Sequence, residues 1–402
     1  MFARGGARGQ LLKGALVAVV AMGDIARSPR MVNHARELAS NGFAVVLIGY
    51  RGRQFEIPAG VRVLGLDGGR SAPRNAAGLR FAIYAGLRMS RLFIALFRVL
   101  LREKPRAILV QNPPSFPTLT AAALAAKWTG AGVTVDWHNY GFSLLGLRLG
   151  ATHWLVRLAR WYEFRAGRSA VSHLCVSRAM RENLMRDAGI RAEVLYDRPV
   201  GDARAAPGAE RIERAGTTRS RGFVAVCPAG WTADEDMELL LDALESMPPM
   251  PDQSITVYAT GEGVKRKELG PRLGALRLKG ILADTGYLPE AEYWDLVRRA
   301  DLGLSLHRSS SGLDLAMKVV DLFSAGVPVC ALDYGGSIRE QIEDGVTGFL
   351  FHTAQELAAL LTRLASDPDA LDGMRSAIHE RWPVSWSAEW KRIALPLLTE
   401  VS

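Results

Sequence analysis

The segment His307-Arg308-Ser309-Ser310-Ser311-Gly312 follows a short apolar run at 302–306 and precedes a helical pattern expected from about Asp314 to Ala325. Hydroxyls, a glycine and the free N–H groups of a helix start together make an anion site. Lys318 and Asp321 fall about one helical turn apart on one face. A lysine there can meet phosphate charge, and a carboxylate can accept hydrogen bonds from ribose hydroxyls. A serine loop that only caps its helix would use the same residue types.

Three other strand ends carry residues capable of chemistry. MGDIARSPRM at 22–31 offers Gly23 for close backbone approach and Arg27 and Arg30 as positive charge, which suits a diphosphate. An ordinary strand-to-helix turn with solvated arginines would look the same. QNPPSFP at 111–117 is stiffened by its prolines, and a turn explains it. DWHNYG at 136–141 crowds a carboxylate, an imidazole, an amide and two rings at one strand end. His138 can act there as a general base near neutral pH. The acidic triplet Asp234-Glu235-Asp236 invites a metal. However, Thr232 followed three residues later by Glu235 has capping-box spacing, so a helix cap is expected and no protein-held metal. Gly261-Glu262-Gly263 is a weak phosphate-loop signal.

Positioning these groups requires strands with helices between them. Apolar runs at 16–22, 44–48, 107–110, 132–136 and 173–176, then at 223–227, 255–259, 302–306 and 328–331, alternate with helical patterns. Continuous apolar strands of this kind form parallel sheets covered on both faces, and two series predict two doubly wound domains. The expected division is 1–200, a Gly-, Ala- and charge-rich linker at 201–222, a second domain at 223–384, and a terminal helix at 385–402 that packs back on the first domain. Trp382, Trp386 and Trp390 recur every four residues, as one face of that helix would.

At 402 residues and 49% hydrophobic, the chain has material for two cores. Fifty basic against 41 acidic residues give +9, which suits a partner bearing phosphates or an Arg-rich background. Cys175, Cys227 and Cys330 lack metal-ligand spacing and read as buried thiols in a reducing compartment. The apolar stretch after the N-terminus is too short for a span and is taken as the first strand, so neither membrane anchor nor export signal is expected.

Residues 79–102 place Arg80, Arg88, Arg91, Arg98 and Arg102 within about one quarter of a helical wheel, with Phe93, Phe97 and other apolar residues filling much of the rest. This predicts a helix on an anionic membrane surface, with Arg80, Arg88, Arg91, Phe93, Phe97 and Arg98 in contact; burial among neighbours is the competing arrangement.

Taken in order, GDIARSPRM, QNPP, DWHNYG with Ser143, WYE at 161–163, YDRP at 196–199, GWTADED and SSSGLDLAMKVVD closely resemble the chitobiosyldiphosphodolichol β-mannosyltransferase family, glycosyltransferase family 33. That resemblance implies an α/β GT-B fold: two facing Rossmann-like doubly wound domains with a cleft between them. It implies transfer of mannose from GDP-mannose to a GlcNAc disaccharide on a polyisoprenyl diphosphate, peripheral to the cytosolic face of a membrane. No tightly bound cofactor and no nucleic acid are expected. On the donor side it implies Trp231, Thr232, Gly261, His307, Ser309, Ser310, Ser311, Gly312, Asp314, Lys318 and Asp321. On the acceptor side it implies Gly23, Asp24, Arg27, Arg30 and Asn139, with His138 as base and Asp136 or Glu163 in reserve. Many retaining enzymes of this fold carry two glutamates eight apart; Leu313 and Asp321 stand here, which favours inversion. The rivals are a transferase with another sugar nucleotide and a bacterial lipid-linked acceptor, or an inactive GT-B-fold protein bound to membrane or nucleic acid.

Overall fold

The computed structural model describes residues 9–10, 13–50, 52, 55–66, 78–198, 222–248, 255–279, 281–382 and 385–401. Two compact units divide the chain: Met1–Tyr196 with Ser387–Ser402, and Asp197–Trp386. The expected linker at 201–222 lies outside the described residues, apart from Gly222.

The first unit is a seven-stranded sheet of β1 (Leu16–Asp24), β2 (Ala44–Tyr50), β3 (Val61–Leu66), β4 (Ala107–Asn112), β5 (Gly132–Trp137), β6 (Ser172–Cys175) and β7 (Glu193–Val194). The spatial order is β3-β2-β1-β4-β5-β6-β7, all parallel. Val17 to Ala21 of β1 are buried at 1% exposure or less, as a strand covered on both faces must be. The order reverses between β1 and β4, so the ends of these strands and of neighbouring β5 flank the switch point where open α/β sheets hold ligands. Helices α1 (Pro29–Ser40), α2 (Gly78–Glu103), α3 (Thr118–Thr129), α4 (Gly141–Leu149) and α5 (Trp154–Gly167) come from the connections.

The second unit repeats the plan with β8 (Phe223–Pro228), β9 (Ile255–Thr260), β10 (Leu282–Gly286), β11 (Leu302–Ser305), β12 (Val329–Leu332) and β13 (Gly348–Phe351), in the order β10-β9-β8-β11-β12-β13. Its core lies on both sheet faces. Helix α6 (Met237–Ser246) follows β8, and α7 (Met317–Ser324) follows β11. The last helix, α8 (Trp386–Thr399), belongs almost wholly to the first unit.

Three expectations change. Trp382 caps the helix Pro368–Arg381 and packs on Phe323 of its own unit, so it does not share a helix with Trp386 and Trp390. The helix after the serine loop starts at Met317, because residues 312–316 are held outside it by side-chain bonds described below. In α2 the apolar residues divide: Leu87 and Ile94 are 55% and 43% exposed beside Arg91 and Arg98, while others turn inward. Leu92, Leu96 and Leu100 are buried, Phe93 and Phe97 stack half-buried, and Arg88 hydrogen-bonds Tyr50. Arg91 and Arg98 are exposed; the side chain of Arg80 lies outside the described residues. No helix among the described residues is long and apolar enough to cross a membrane. Cys175, Cys227 and Cys330 are all free and buried.

Candidate active site

At the end of β5, Asp136 is fully buried and gathers four donors. Arg30 of α1 gives Nε to Oδ2 at 2.8 Å and Nη2 to Oδ1 at 3.0 Å, a bidentate fork. His34 Nε2 reaches Oδ2 at 3.0 Å and His138 Nε2 reaches it at 2.8 Å. Burial alone would push the Asp136 carboxyl up, but Arg30 and the two imidazoles hold it well below the usual range. It is therefore an anion, and an anion only accepts.

That fixes both imidazoles. His34 Nδ1 lies 2.8 Å from Trp390 Nε1, an indole N–H that can only donate, so the His34 proton sits on Nε2 and points at Asp136. Burial lowers the His34 pKa and keeps the ring neutral. His138 gives Nε2–H to the same carboxylate, so in the neutral ring the lone pair is on Nδ1, which has no hydrogen-bond partner among the described residues. At 20% exposure the ring is open to a ligand. The result is a buried orienting carboxylate behind a partly exposed imidazole, the arrangement of an oriented general base.

Two sequence expectations are corrected here. Arg30 is 3% exposed and bound to Asp136 and to Leu195 O at 2.9 Å, so it anchors the dyad rather than meeting an acceptor. Removing one partner of a buried ion pair strands the other charge. Arg30→Ala is thus expected to cost about 3–5 kcal/mol of folding stability in a denaturant titration, whereas loss of an exposed ligand contact would leave the midpoint unchanged. Glu163, offered as a reserve base, is fully buried and accepts from Gly141 N at 2.9 Å, Phe142 N at 3.0 Å and Asn112 Nδ2 at 2.6 Å. It caps the start of α4 and so fixes the loop after His138; Asp136 is likewise fully buried behind Arg30, His34 and His138 and is out of reach of a ligand.

The remaining first-unit residues sit at the same sheet edge. Asp24 caps a short 3-10 turn through Ala26 N at 3.1 Å, Arg27 is exposed, and a Cβ at Gly23 would meet open space. Asn139 Oδ1 accepts from Tyr140 N at 2.7 Å and shapes the turn beside His138.

In the second unit, the loop after β11 is laced together. Ser309 Oγ binds Asp314 and accepts from Gly312 N at 2.8 Å, and Ser311 Oγ accepts from Leu313 N at 3.2 Å. Ser337 Oγ donates to Gly312 O and Asp314 O, both at 2.9 Å, and Gln341 brackets Ala316 from both sides. Gly312 adopts φ +72°, a conformation that favours glycine. These bonds keep 312–316 non-helical and deliver α7 with no side chain capping its first turn, a helix start of the kind that suits an anion.

The acidic triplet works in this loop. Asp236, not Thr232, caps α6 through Leu239 N at 3.2 Å and also binds Arg308 at 2.6 Å. Glu235 pairs with Lys318 and accepts from Gly230 N at 2.6 Å. His307 lies between Asp314 at 3.1 Å and Asp234 at 3.6 Å. Burial opposes its charge, but the two carboxylates win and raise its pKa to about 9, so it is an imidazolium at neutral pH. Asp321 faces Tyr293 Oη at 3.4 Å, and burial pushes its carboxyl up to about 6 against the opposing pull of Lys318. Each acid thus fixes a basic side chain or a backbone turn, and the capping-box expectation for Thr232 and Glu235 is corrected. No group of metal-ligating side chains occurs among the described residues.

Two further donor-side residues change role. Trp231 is fully buried with Nε1 on Thr260 O at 3.0 Å, so its ring belongs to the core. A Cβ on Gly261, at φ +88°, would fall 1.8 Å from Ala229 O. That glycine lets two strand-end loops touch, which explains the glycine signal without phosphate. Thr232 and Ser310 stand by these loops, Thr232 exposed.

The chain matches two family models, a glycosyl transferase 4-like domain over residues 28–196 and glycosyl transferases group 1 over 222–367. It is 33% identical to the chitobiosyldiphosphodolichol beta-mannosyltransferase of Homo sapiens, covering 96% of this chain and 92% of that one. It is 32% identical to UDP-glycosyltransferase TURAN of Arabidopsis thaliana, over 95% and 97% of the two chains. Among solved structures, HepE of Anabaena in complex with UDP shares the fold with a TM-score of 0.67 at 17% identity, over 95% of this chain and 99% of that one. With its two Rossmann-type units, the chain is a glycosyltransferase of GT-B fold and belongs to the chitobiosyldiphosphodolichol beta-mannosyltransferase family.

Proposed function

We propose that this glycosyltransferase moves mannose from GDP-mannose, with inversion, onto a GlcNAc disaccharide carried by a polyisoprenyl diphosphate, at the cytosolic face of a membrane. The observation that carries the acceptor half is the His138–Asp136 pair, with Nδ1 of His138 left open. An acceptor hydroxyl gives its proton to Nδ1 as its oxygen bonds to the mannosyl C1. The bond from C1 to the phosphate oxygen breaks, and GDP departs with the electron pair. The donor half rests on Lys318, the His307 imidazolium and the uncapped start of α7, positive groups suited to the leaving diphosphate. Asp321 takes the ribose hydroxyls.

A second sugar nucleotide has one observation in its favour, since the Arabidopsis relative is described as a UDP-glycosyltransferase. Calorimetry with GDP and UDP separates the two: GDP is expected to bind at least about ten-fold tighter, and a preference for UDP would replace GDP-mannose in the scheme. The same titration has a predicted pH range. Asp321 loses its charge as pH falls through about 6, and His307 loses its charge as pH rises through about 9. GDP affinity is therefore expected to be greatest between those values and to weaken on both sides; a flat profile would remove both residues from the nucleotide site.

A further inference from the structure

Helices α4 and α5 follow directly from the loop that holds His138, and they pack against one another. Their inner side is ordinary core: Val156, Phe164 and Gly167 are buried, and Glu163 reaches back to the backbone of Gly141 and Phe142. Their outer side is unusual. Trp154, Leu158 and Trp161 recur at i, i+4 and i+7 of α5 and are 64%, 50% and 63% exposed. Leu144 and Leu147 of α4 are also exposed, and α4 buries no residue fully. Two tryptophans and three leucines on one pair of helices exceed the scattered apolar residues of a normal surface.

The charge beside this face has one sign. Residues 141–168 contain five arginines and one acid. That acid is Glu163, which is fully buried. Arg148, Arg157 and Arg165 are exposed, and Arg165 continues the Trp154–Leu158–Trp161 stripe by one turn. An apolar stripe with amphipathic tryptophans and long arginines is built for the boundary between acyl chains and headgroups. The arginines then meet lipid phosphates.

We propose that the outer face of α4 and α5 is the surface by which this protein lies on an anionic lipid bilayer. This replaces α2, where Leu92, Leu96 and Leu100 are buried, Arg88 is engaged with Tyr50, and Leu87 and Ile94 are the exposed large apolar residues beside Arg91 and Arg98, with no exposed tryptophan among the described side chains. The helix that lies on the lipid also carries the cap of the His138 loop, so the base is held at headgroup depth, where the diphosphate and sugars of a lipid-linked acceptor emerge. The proposal rests on the lipid-linked acceptor for that last step, and lipid binding and sugar transfer are accordingly read in separate assays.

The test is flotation of the full chain with phosphatidylcholine vesicles containing roughly one third phosphatidylglycerol. The unaltered protein is expected to float with them and to bind pure phosphatidylcholine vesicles more weakly. Trp154→Ser with Trp161→Ser is expected to lower partitioning by at least about ten-fold, with unchanged transfer to a water-soluble, short-chain acceptor. Arg91→Glu with Arg98→Glu on α2 leaves partitioning within about two-fold. Leu147→Ser with Leu158→Ser gives a second reading of the face should the tryptophan variant melt early. Flotation of both serine variants equal to the unaltered protein overturns the proposal. So does a lipid-free dimer in sedimentation equilibrium that these variants dissociate, since a second copy would then cover the face. Vesicle binding lost in the variants, together with no transfer to any acceptor, upholds the surface and defeats the catalytic assignment instead.

Discussion

Replacing His138 with alanine is expected to lower kcat by about 10²–10⁴-fold while leaving GDP binding unchanged. The size follows from the task. An acceptor hydroxyl is a poor nucleophile at neutral pH, and His138 Nδ1 is the open lone pair in the Asp136 cluster. The loss should fall on kcat rather than on donor KM, because the donor loop belongs to the second unit and holds its own contacts. His138→Ala is also the cleaner experiment. Asp136→Asn would strand the Arg30 guanidinium beside a neutral amide and unfold part of the unit along with the chemistry. Single-turnover rates with saturating donor check the prediction; a rate within about three-fold of the unaltered enzyme would move the base elsewhere.

Lys318→Ala is expected to lower kcat/KM by about 10²–10³-fold and to weaken GDP binding. Two effects lie inside that number. Lys318 supplies positive charge at the start of α7, and it also neutralises Glu235, which is 5% exposed. Removing the lysine leaves that carboxylate buried and unpaired, so stability falls as well. Adding Glu235→Gln separates them. The double variant should recover thermal stability without recovering activity, and the cycle gives the coupling directly. Activity that returned with stability would reduce Lys318 to a structural partner of Glu235.

Much of this was visible in the residues before any coordinates. Apolar runs gave most central strands, and polar groups at their ends mark the loop that holds His138 and the loop that leads into α7 with Lys318 and Asp321. The misses have physical causes. β3 and β10 are short edge strands with polar residues and glycine, so they lack the continuous apolar run of a covered strand. Thr232 and Glu235 have the spacing of a capping box, but Asp236 is the N-cap, so the helix starts a full turn later and Glu235 is free for Lys318. Arg30 looked like a surface cation because its partner, Asp136, is 106 positions away. No local pattern reports a pairing of that range, nor that Trp390 sets the His34 tautomer from the far end of the chain. The arginine stripe of α2 was real, yet helix periodicity could not show which apolar residues a neighbouring layer would cover.

The central claim is tested most directly by incubating the purified chain with radiolabelled GDP-mannose and a polyisoprenyl-diphosphate-linked GlcNAc disaccharide, then releasing the glycan for anomeric analysis by NMR. The account predicts one labelled mannose added in β linkage, with the label lost when His138 or Lys318 is alanine. Failure with this pair alongside turnover of another sugar nucleotide, or an α-linked product, would contradict it.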